Sequence, residues 1–309
     1  MRELREAERL LRERLGTRLR VRFPIAPLTT FRIGGPAALF VEAEDDDALE
    51  AVGWAVAATG IAVAMIGKGS NMLVSDEGFP GIVVRLGRGY RWAGRDADLL
   101  TAGGAMPLPA LAGIAMRHRL SGLEFGVAIP ASLGGAVKMN AGAHRRSMSD
   151  VIERVDVFGL AHPGRRSLSV TEAGFGYRRS GLPSDGIVVG AAVRLAPGEE
   201  IEIREAMEEA REWRRRTQPL AEPNCGSVFK NPDGDHAARL IESAGAKGLR
   251  IGGARVSEKH SNFIVADPGA SASDVWQLIE RVRSRVESHS GIRLETEVEL
   301  MGVVADAGR

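Results

Sequence analysis

Two glycine-rich turns set between apolar runs constrain this chain more than any other feature. The first is Gly67-Lys68-Gly69-Ser70-Asn71, preceded by Ile61-Ala62-Val63-Ala64-Met65-Ile66 and followed by Met72-Leu73-Val74. The second runs from Gly134-Gly135 through Asn140-Ala141-Gly142, after Gly122-Leu123-Glu124-Phe125 and Ala128-Ile129-Pro130. Glycine populates positive φ and lets backbone N–H groups approach a ligand closely, so these stretches suit a cradle lined by main chain. Taken alone, Gly134-Gly135 reads as a tight turn packed against a sheet. Paired with a donor-rich turn between two strand-like runs, it points to a ligand carrying a diphosphate.

The remaining pattern predicts helices alternating with short strands. Leu4, Leu10, Leu11 and Leu15 among charges give an amphipathic helix over Glu3–Leu15, ended near Gly16. Apolar runs at 38–41, 63–66 and 82–86 surround a helix over Asp46–Thr59, a small α/β unit. Helix Leu108–Arg119, the second glycine segment and apolar runs at 151–157, 168–170 and 187–195 make a second part. The composition turns polar at Pro197-Gly198-Glu199-Glu200. Beyond it, helices at Ile203–Arg216, His236–Ala244 and Ala272–Ser288, a strand over Asn262–Val265 and a final strand over Glu297–Val304 are expected.

At 309 residues the chain is long enough for two or three domains. A net charge of +1 gives no electrostatic reason to invoke nucleic acid or an anionic membrane. A single cysteine excludes an internal disulfide framework and points to a reducing compartment. There is no apolar run of about 18 residues and no signal-peptide core, so a soluble cytoplasmic protein is expected. The six histidines show no metal-ligand spacing, and no metal is expected. Only five basic residues are lysine and 36 are arginine, a skew that a GC-rich genome or heat adaptation would each produce.

Further segments accompany the two loops in a fixed order. They are Thr30-Phe31-Arg32-Ile33-Gly34-Gly35, Tyr177-Arg178-Arg179-Ser180, Pro223-Asn224-Cys225-Gly226-Ser227-Val228-Phe229-Lys230-Asn231-Pro232 and Glu295-Thr296-Glu297-Val298. Together these motifs, from about Phe23 to Gly302, resemble the UDP-N-acetylenolpyruvoylglucosamine reductase family. The run Gly252–Phe263 resembles its shorter subtype, which lacks a substrate-capping insertion. The resemblance implies an α+β fold: a two-part FAD-binding domain of the PCMH/vanillyl-alcohol-oxidase type and a C-terminal α+β substrate-binding domain. The parts would be residues 1–88 with a return strand at 299–309, then 89–197, and 198–298 for the substrate. It further implies bound FAD, NADPH as co-substrate, a small nucleotide-sugar substrate and a monomer with no nucleic-acid or membrane partner. Two rival readings are another FAD oxidase or dehydrogenase of this fold and a nucleotide-sugar binder without turnover.

The resemblance assigns FAD to Gly67, Lys68, Gly69, Ser70, Asn71, Ala128, Ile129, Pro130, Gly134, Gly135, Asn140, Ala141 and Gly142. It makes Ser227 the proton donor to C2 of the enolpyruvyl group. A hydroxyl is a weak acid, so it needs stabilisation of the developing charge and resupply of its proton. Arg178 would chelate the carboxylate through its planar fork, and Glu297 would share or relay a proton, with Glu295 as the rival carboxylate. Taken alone, Arg178 reads as a surface cation, Glu297 as an edge-strand charge and Ser227 as a turn residue. Tyr177, Lys230, Asn231 and Arg239 would bind the sugar nucleotide; His260 has a structural role slightly ahead of a substrate role. Cys225 lacks a His partner placed by sequence and reads as a buried cysteine. Two positions depart from the family, which carries glycine where this chain has Ala128 and Ala131. No G-x-G-x-x-G strand-turn-helix fingerprint occurs, which argues against a separate Rossmann site for NADPH.

Overall fold

A computed structural model describes residues 2–302, and the chain divides into two compact units. The first comprises residues up to Val21, Leu39–Lys68 and Gly81–Arg214; the second comprises Arg22–Ala38, Gly69–Pro80 and the chain from Arg215 onward.

In the first unit the helix Arg2–Leu15 turns Ala7, Leu11 and Leu15 into a core shared with the helix Asp46–Thr59. Asp45 caps that second helix by accepting from the Ala48 N–H at 2.9 Å, and Gly60, at φ 68°, ends it in the left-handed conformation. An N-cap of this kind contributes about 1 kcal/mol. Residues Val63–Met65 pair in parallel with Ile82–Val84. The chain therefore enters the Gly67 turn at the C-terminal edge of a parallel pair, the edge where open α/β sheets hold ligands.

A second core in the same unit lies against a five-stranded antiparallel sheet. Its order is Gly164–Ser169, Ile152–Gly159, Gly186–Arg194, Leu99–Gly103, Ala93–Asp96. The middle strand is buried without interruption from Ile187 to Val193, as expected of a strand covered on both faces. The helix Leu108–Arg117 contributes Leu108, Leu111, Ala112 and Ala115 to this core, and the helix Glu200–Thr217 contributes Ile203, Met207 and Ala210.

The second unit is an antiparallel sheet in the order Asn224–Ser227, Phe263–Ala266, Ala254–Val256, Arg250–Ile251, with helices Ala237–Ser243 and Ala272–Ser290. Ser271 and Asp274 form a capping box at the start of the long helix, and Gly291, at φ 72°, closes it. Val275, Leu278, Ile279, Val282 and Val286, spaced at three and four residues, fill the core beneath. Met72–Val74 pairs in parallel with Glu299–Met301.

The mixture of helices and antiparallel sheet is the α+β class expected. Two local differences have physical causes. The second glycine segment, read as a cradle or tight turn, contains a short helix at Leu133–Lys138, because Ser132 Oγ caps it by accepting from the Gly135 N–H at 3.4 Å. The final strand is only Glu299–Met301, because Thr296 and Glu297 are taken up by the Val228–Phe229 segment instead of a ladder. Residues 303–309 of the expected strand and return segment lie outside the described residues.

Candidate active site

Within the first unit, the two glycine turns converge on one side chain. A Cβ placed on Gly67 would lie 2.6 Å from Ser132 Oγ, and one on Gly135 would lie 3.4 Å from the same atom. Ser132 is 6% exposed, so a buried hydroxyl separates the turns expected to hold one ligand. Lys68 is half-buried, and burial, with Arg91 and Arg85 nearby, holds its ammonium below the usual lysine range. A bound anion would relieve that loss of solvation and that repulsion. Ala128 and Ala131 are partly buried against the core under the antiparallel sheet. A buried hydroxyl between glycines and a desolvated cation at a strand's C-terminal edge fit the diphosphate of FAD.

The same unit fixes the Tyr177-Arg178 turn to the second glycine segment. Asn140, 6% exposed and at φ 41°, donates through Nδ2 to the Gly176 carbonyl at 3.0 Å, while its Oδ1 accepts from the Ser149 N–H at 2.9 Å. Ser180 Oγ donates to the Lys138 carbonyl at 2.6 Å. Gly176 and Arg179 exchange backbone hydrogen bonds at 3.0 and 3.2 Å, closing a four-residue turn with Arg178 at φ 54°. A left-handed arginine is held at a cost of order 1 kcal/mol or more, and such strain concentrates where geometry serves function. The guanidinium of Arg178 lies 5.4 Å from the ring centroid of Tyr177, which is exposed. A Cβ on Gly142 would collide with the Arg146 carbonyl at 2.5 Å and stand 3.2 Å from an Arg178 terminal nitrogen, so both approach this glycine closely.

In the second unit, Ser227 ends the strand Asn224–Ser227, directly after a bulge made by Gly226 at φ 79°. The bulge re-aims the strand end, as bulges beside sites do. Three bonds to Asn262 then fix Val228 and Phe229. Asn262, 4% exposed, accepts from the Phe229 N–H at 2.9 Å and donates to the Phe229 carbonyl at 2.8 Å, while its own carbonyl accepts from the Val228 N–H at 2.9 Å. Glu297 N–H donates to the Val228 carbonyl at 2.8 Å, and Lys230 N–H donates to the Glu295 carbonyl at 2.9 Å. Ser227 and half-buried Glu297 thus sit on adjacent segments of one hydrogen-bonded piece. Glu295 is exposed and ion-paired with Lys230, whereas Glu297 is half-buried.

The second-unit part of the first glycine turn joins this piece. Thr30 donates through its N–H to the Gly69 carbonyl at 3.0 Å and through Oγ1 to the Asn224 carbonyl at 2.6 Å. Gly69 is left-handed at φ 58°, and a Cβ there would collide with the Leu28 carbonyl. Asn71 Nδ2 donates to the Glu297 carbonyl at 2.9 Å. Burial pushes the Cys225 thiol well above its usual range, with the Glu297 carboxylate adding to the shift, so this cysteine is no nucleophile.

The remaining expected ligands are partly engaged inside the second unit. Asn231 Oδ1 accepts from the Ala237 N–H at 3.0 Å, at the start of a helix, and Arg239 forks onto Asp235. His260 Nδ1 accepts from the Asn262 N–H at 3.2 Å, and its ring meets Phe263 edge-on at 4.7 Å. Burial holds the imidazole below its usual range. Sequence reasoning missed Ser132 and gave no role of their own to Thr30 and Asn262, which stand only within longer motifs. A serine three residues before Gly135 is a cap signature that could have revealed the first; Asn262 carries no local signal. Among the described residues, no group of three His, Cys, Asp or Glu side chains could hold a metal ion, and no helix is long and apolar enough to cross a membrane.

Comparison with known proteins places this geometry in a class. Residues 37–159 match a family described as FAD binding domain. A berberine-bridge-enzyme-like protein of Physcomitrella patens, 11% identical, superposes with a TM-score of 0.57 over 92% of this chain and 88% of its own, a likeness of fold alone. The fold is that of an FAD-binding protein.

Residues 218–301 match the family described as UDP-N-acetylenolpyruvoylglucosamine reductase, C-terminal domain. The reductase of that name from Heliobacterium modesticaldum is 46% identical over 282 residues, covering 90% of this chain and 89% of the relative. The crystal structure of the reductase from Thermus caldophilus is 38% identical, with a TM-score of 0.80 over 91% of this chain and 99% of its own. The chain belongs to the UDP-N-acetylenolpyruvoylglucosamine reductase family.

Proposed function

We propose that this protein reduces UDP-N-acetylglucosamine enolpyruvate to UDP-N-acetylmuramate with NADPH and FAD, in the synthesis of peptidoglycan precursors. The observation that carries the reading is the placement of Ser227 and Glu297 on segments joined by the Glu297 to Val228 hydrogen bond, in a chain of this family. FAD, when bound, would supply the hydride chemistry, with NADPH as the source of reducing equivalents and C3 of the enolpyruvyl group as the acceptor.

The chain's own residues bind, orient and move the proton. Gly67, Lys68, Gly69, Ser70 and Asn71 form the loop for the diphosphate. Ala128, Ile129, Pro130, Gly134, Gly135, Asn140, Ala141 and Gly142 line the rest of the cofactor. Arg178 holds the substrate carboxylate with its fork and offsets charge that develops on it. Ser227 Oγ gives a proton to C2, and the Glu297 carboxyl group, itself reprotonated from solvent, relays a proton back to the serine oxygen. Tyr177, Lys230, Asn231, Arg239 and His260 complete the sugar-nucleotide side, the ion pairs of Lys230 and Arg239 exchanging carboxylate for phosphate.

Residues 1–88 and 89–197 serve FAD, and 198–298 serve the substrate. The enzyme works as a monomer, of the shorter subtype, on a small molecule; the near-neutral charge supports a partner that is neither nucleic acid nor membrane, and the single cysteine supports the cytoplasm. The test is to bleach the bound flavin with NADPH under nitrogen and add the enolpyruvyl nucleotide. Recovery of the oxidised spectrum is expected. Recovery with oxygen alone would favour an oxidase of the same fold, and no bleaching would favour a binder without turnover.

A further inference from the structure

Asn71 belongs to the glycine turn assigned to the cofactor, yet its amide is committed elsewhere. Nδ2 donates to the Glu297 carbonyl at 2.9 Å, and the Asn71 carbonyl accepts from the Glu299 N–H at 3.0 Å. These two bonds grip the chain on either side of Val298, a buried residue, and continue the parallel pairing of Met72–Val74 with Glu299–Met301. The grip is transmitted at once, because the N–H of the same Glu297 donates to the Val228 carbonyl next to Ser227. The neighbouring turn residues lean on the other partner. A Cβ on Gly226 would stand 3.9 Å from the Ser70 carbonyl, and Thr30 links the Gly69 carbonyl to Asn224.

We infer that Asn71 is a positioning residue that acts through Glu297: its carboxamide sets where the Glu297 main chain, and so its carboxylate, stands relative to Ser227. The hydrogen used in that bond is no longer available to a phosphate oxygen. The cofactor turn and the proton-handling pair thereby form one hydrogen-bonded piece. The inference rests on the proposed function and deepens it, since the same turn serves the diphosphate through its backbone and the proton transfer through one side chain.

The test uses the full-length flavoprotein. Asn71→Leu keeps the size of the side chain and removes the donor to the Glu297 carbonyl without adding charge beside the diphosphate loop. Any loss in flavin per protein or in the rate of flavin reduction by NADPH should be much smaller than the loss in reoxidation. Reoxidation by the enolpyruvyl nucleotide should slow about 10- to 100-fold, with a changed pH profile for that step. A double-mutant cycle supplies a readout that a merely structural role would not give: Asn71→Ala should add almost nothing in a Glu297→Gln background. Colourless but cooperatively melting Asn71→Leu protein would overturn the inference by making the Asn71 side chain a cofactor ligand. Equal slowing of both half-reactions, or full additivity in the cycle, would overturn it as well. If Asn71→Leu does not fold, Asn71→Ser is carried through the same comparisons. Failure of the parent protein to reoxidise with the enolpyruvyl nucleotide would instead sink the proposed function, independently of Asn71.

Discussion

The N–H of Glu297 donates to the carbonyl of Val228 over 2.8 Å, so the carboxylate and the hydroxyl of Ser227 are carried on neighbouring, bonded segments. The main chain sets their relation, and a change confined to the carboxylate leaves that relation intact. Glu297→Gln should therefore fold and take up flavin normally. Reoxidation by the enolpyruvyl nucleotide should fall by roughly 10² or more, while reduction by NADPH stays near the parent rate, as rapid-mixing absorbance would show. Equal losses in both halves would remove Glu297 from proton handling.

Arg178 holds its turn at the cost of a left-handed backbone at φ 54°. Arg178→Gly relieves strain of order 1 kcal/mol while losing the stacking on Tyr177, so its melting temperature should not fall. Its reoxidation half-reaction should collapse all the same. Arg178→Lys keeps both charge and strain but loses the bidentate fork, and should slow reoxidation selectively. A marked drop in melting temperature for the glycine variant would mean that Arg178 is chiefly a structural residue.

Gly67 offers a cleaner test of the cofactor cradle than Gly69. Any side chain at Gly69 is strained at φ 58° and collides with the Leu28 carbonyl, so loss of flavin there would report a deformed turn. At Gly67 the nearest obstacle is the hydroxyl of Ser132, which can rotate. Gly67→Val should melt cooperatively yet lose most of its flavin, read from the visible absorbance per protein. Full occupancy would remove this turn from the cofactor site.

Much of this was legible in the residues. Helix Asp46–Thr59 is bracketed by Asp45 and Gly60, and helix Ala272–Ser290 by Ser271 and Gly291; local caps write such boundaries into the sequence. The strand-loop-strand form around Gly67 was equally plain, because two apolar runs flank it. The features that stayed hidden depend on partners far along the chain. Asn262 lies next to Ser261 in a polar run, and only its bonds to Phe229, 33 residues away, give it a role. The binding of Asn71 to Glu297 joins residues 226 apart, which no local pattern reports. The expectation of a final strand from Glu297 ran long for the same reason: Thr296 and Glu297 answer to Phe229 and Val228, not to alternation.

His260 titrates against the fold. Burial depresses its folded-state value below the unperturbed one of about 6.5, so the unfolded chain binds the proton more readily. The stability it contributes is complete above about 6.5 and is lost as pH falls through the lower folded value. Urea unfolding followed downward from neutral pH should show this loss, and His260→Phe should flatten it while leaving the packing against Phe263. An unchanged slope in that variant would assign the effect to other groups.

The central claim is that Ser227 protonates C2 of the substrate and has no part in the exchange with NADPH. Its most direct test is stopped-flow absorbance of the flavin in Ser227→Ala, one half-reaction at a time. Reduction by NADPH should run close to the parent rate, and reoxidation by the enolpyruvyl nucleotide should fall by about 10² to 10⁴ or more. If both half-reactions slowed equally, Ser227 would be a structural residue and the proton would come from another group. If neither changed, the placement of the acid at this strand end would be wrong.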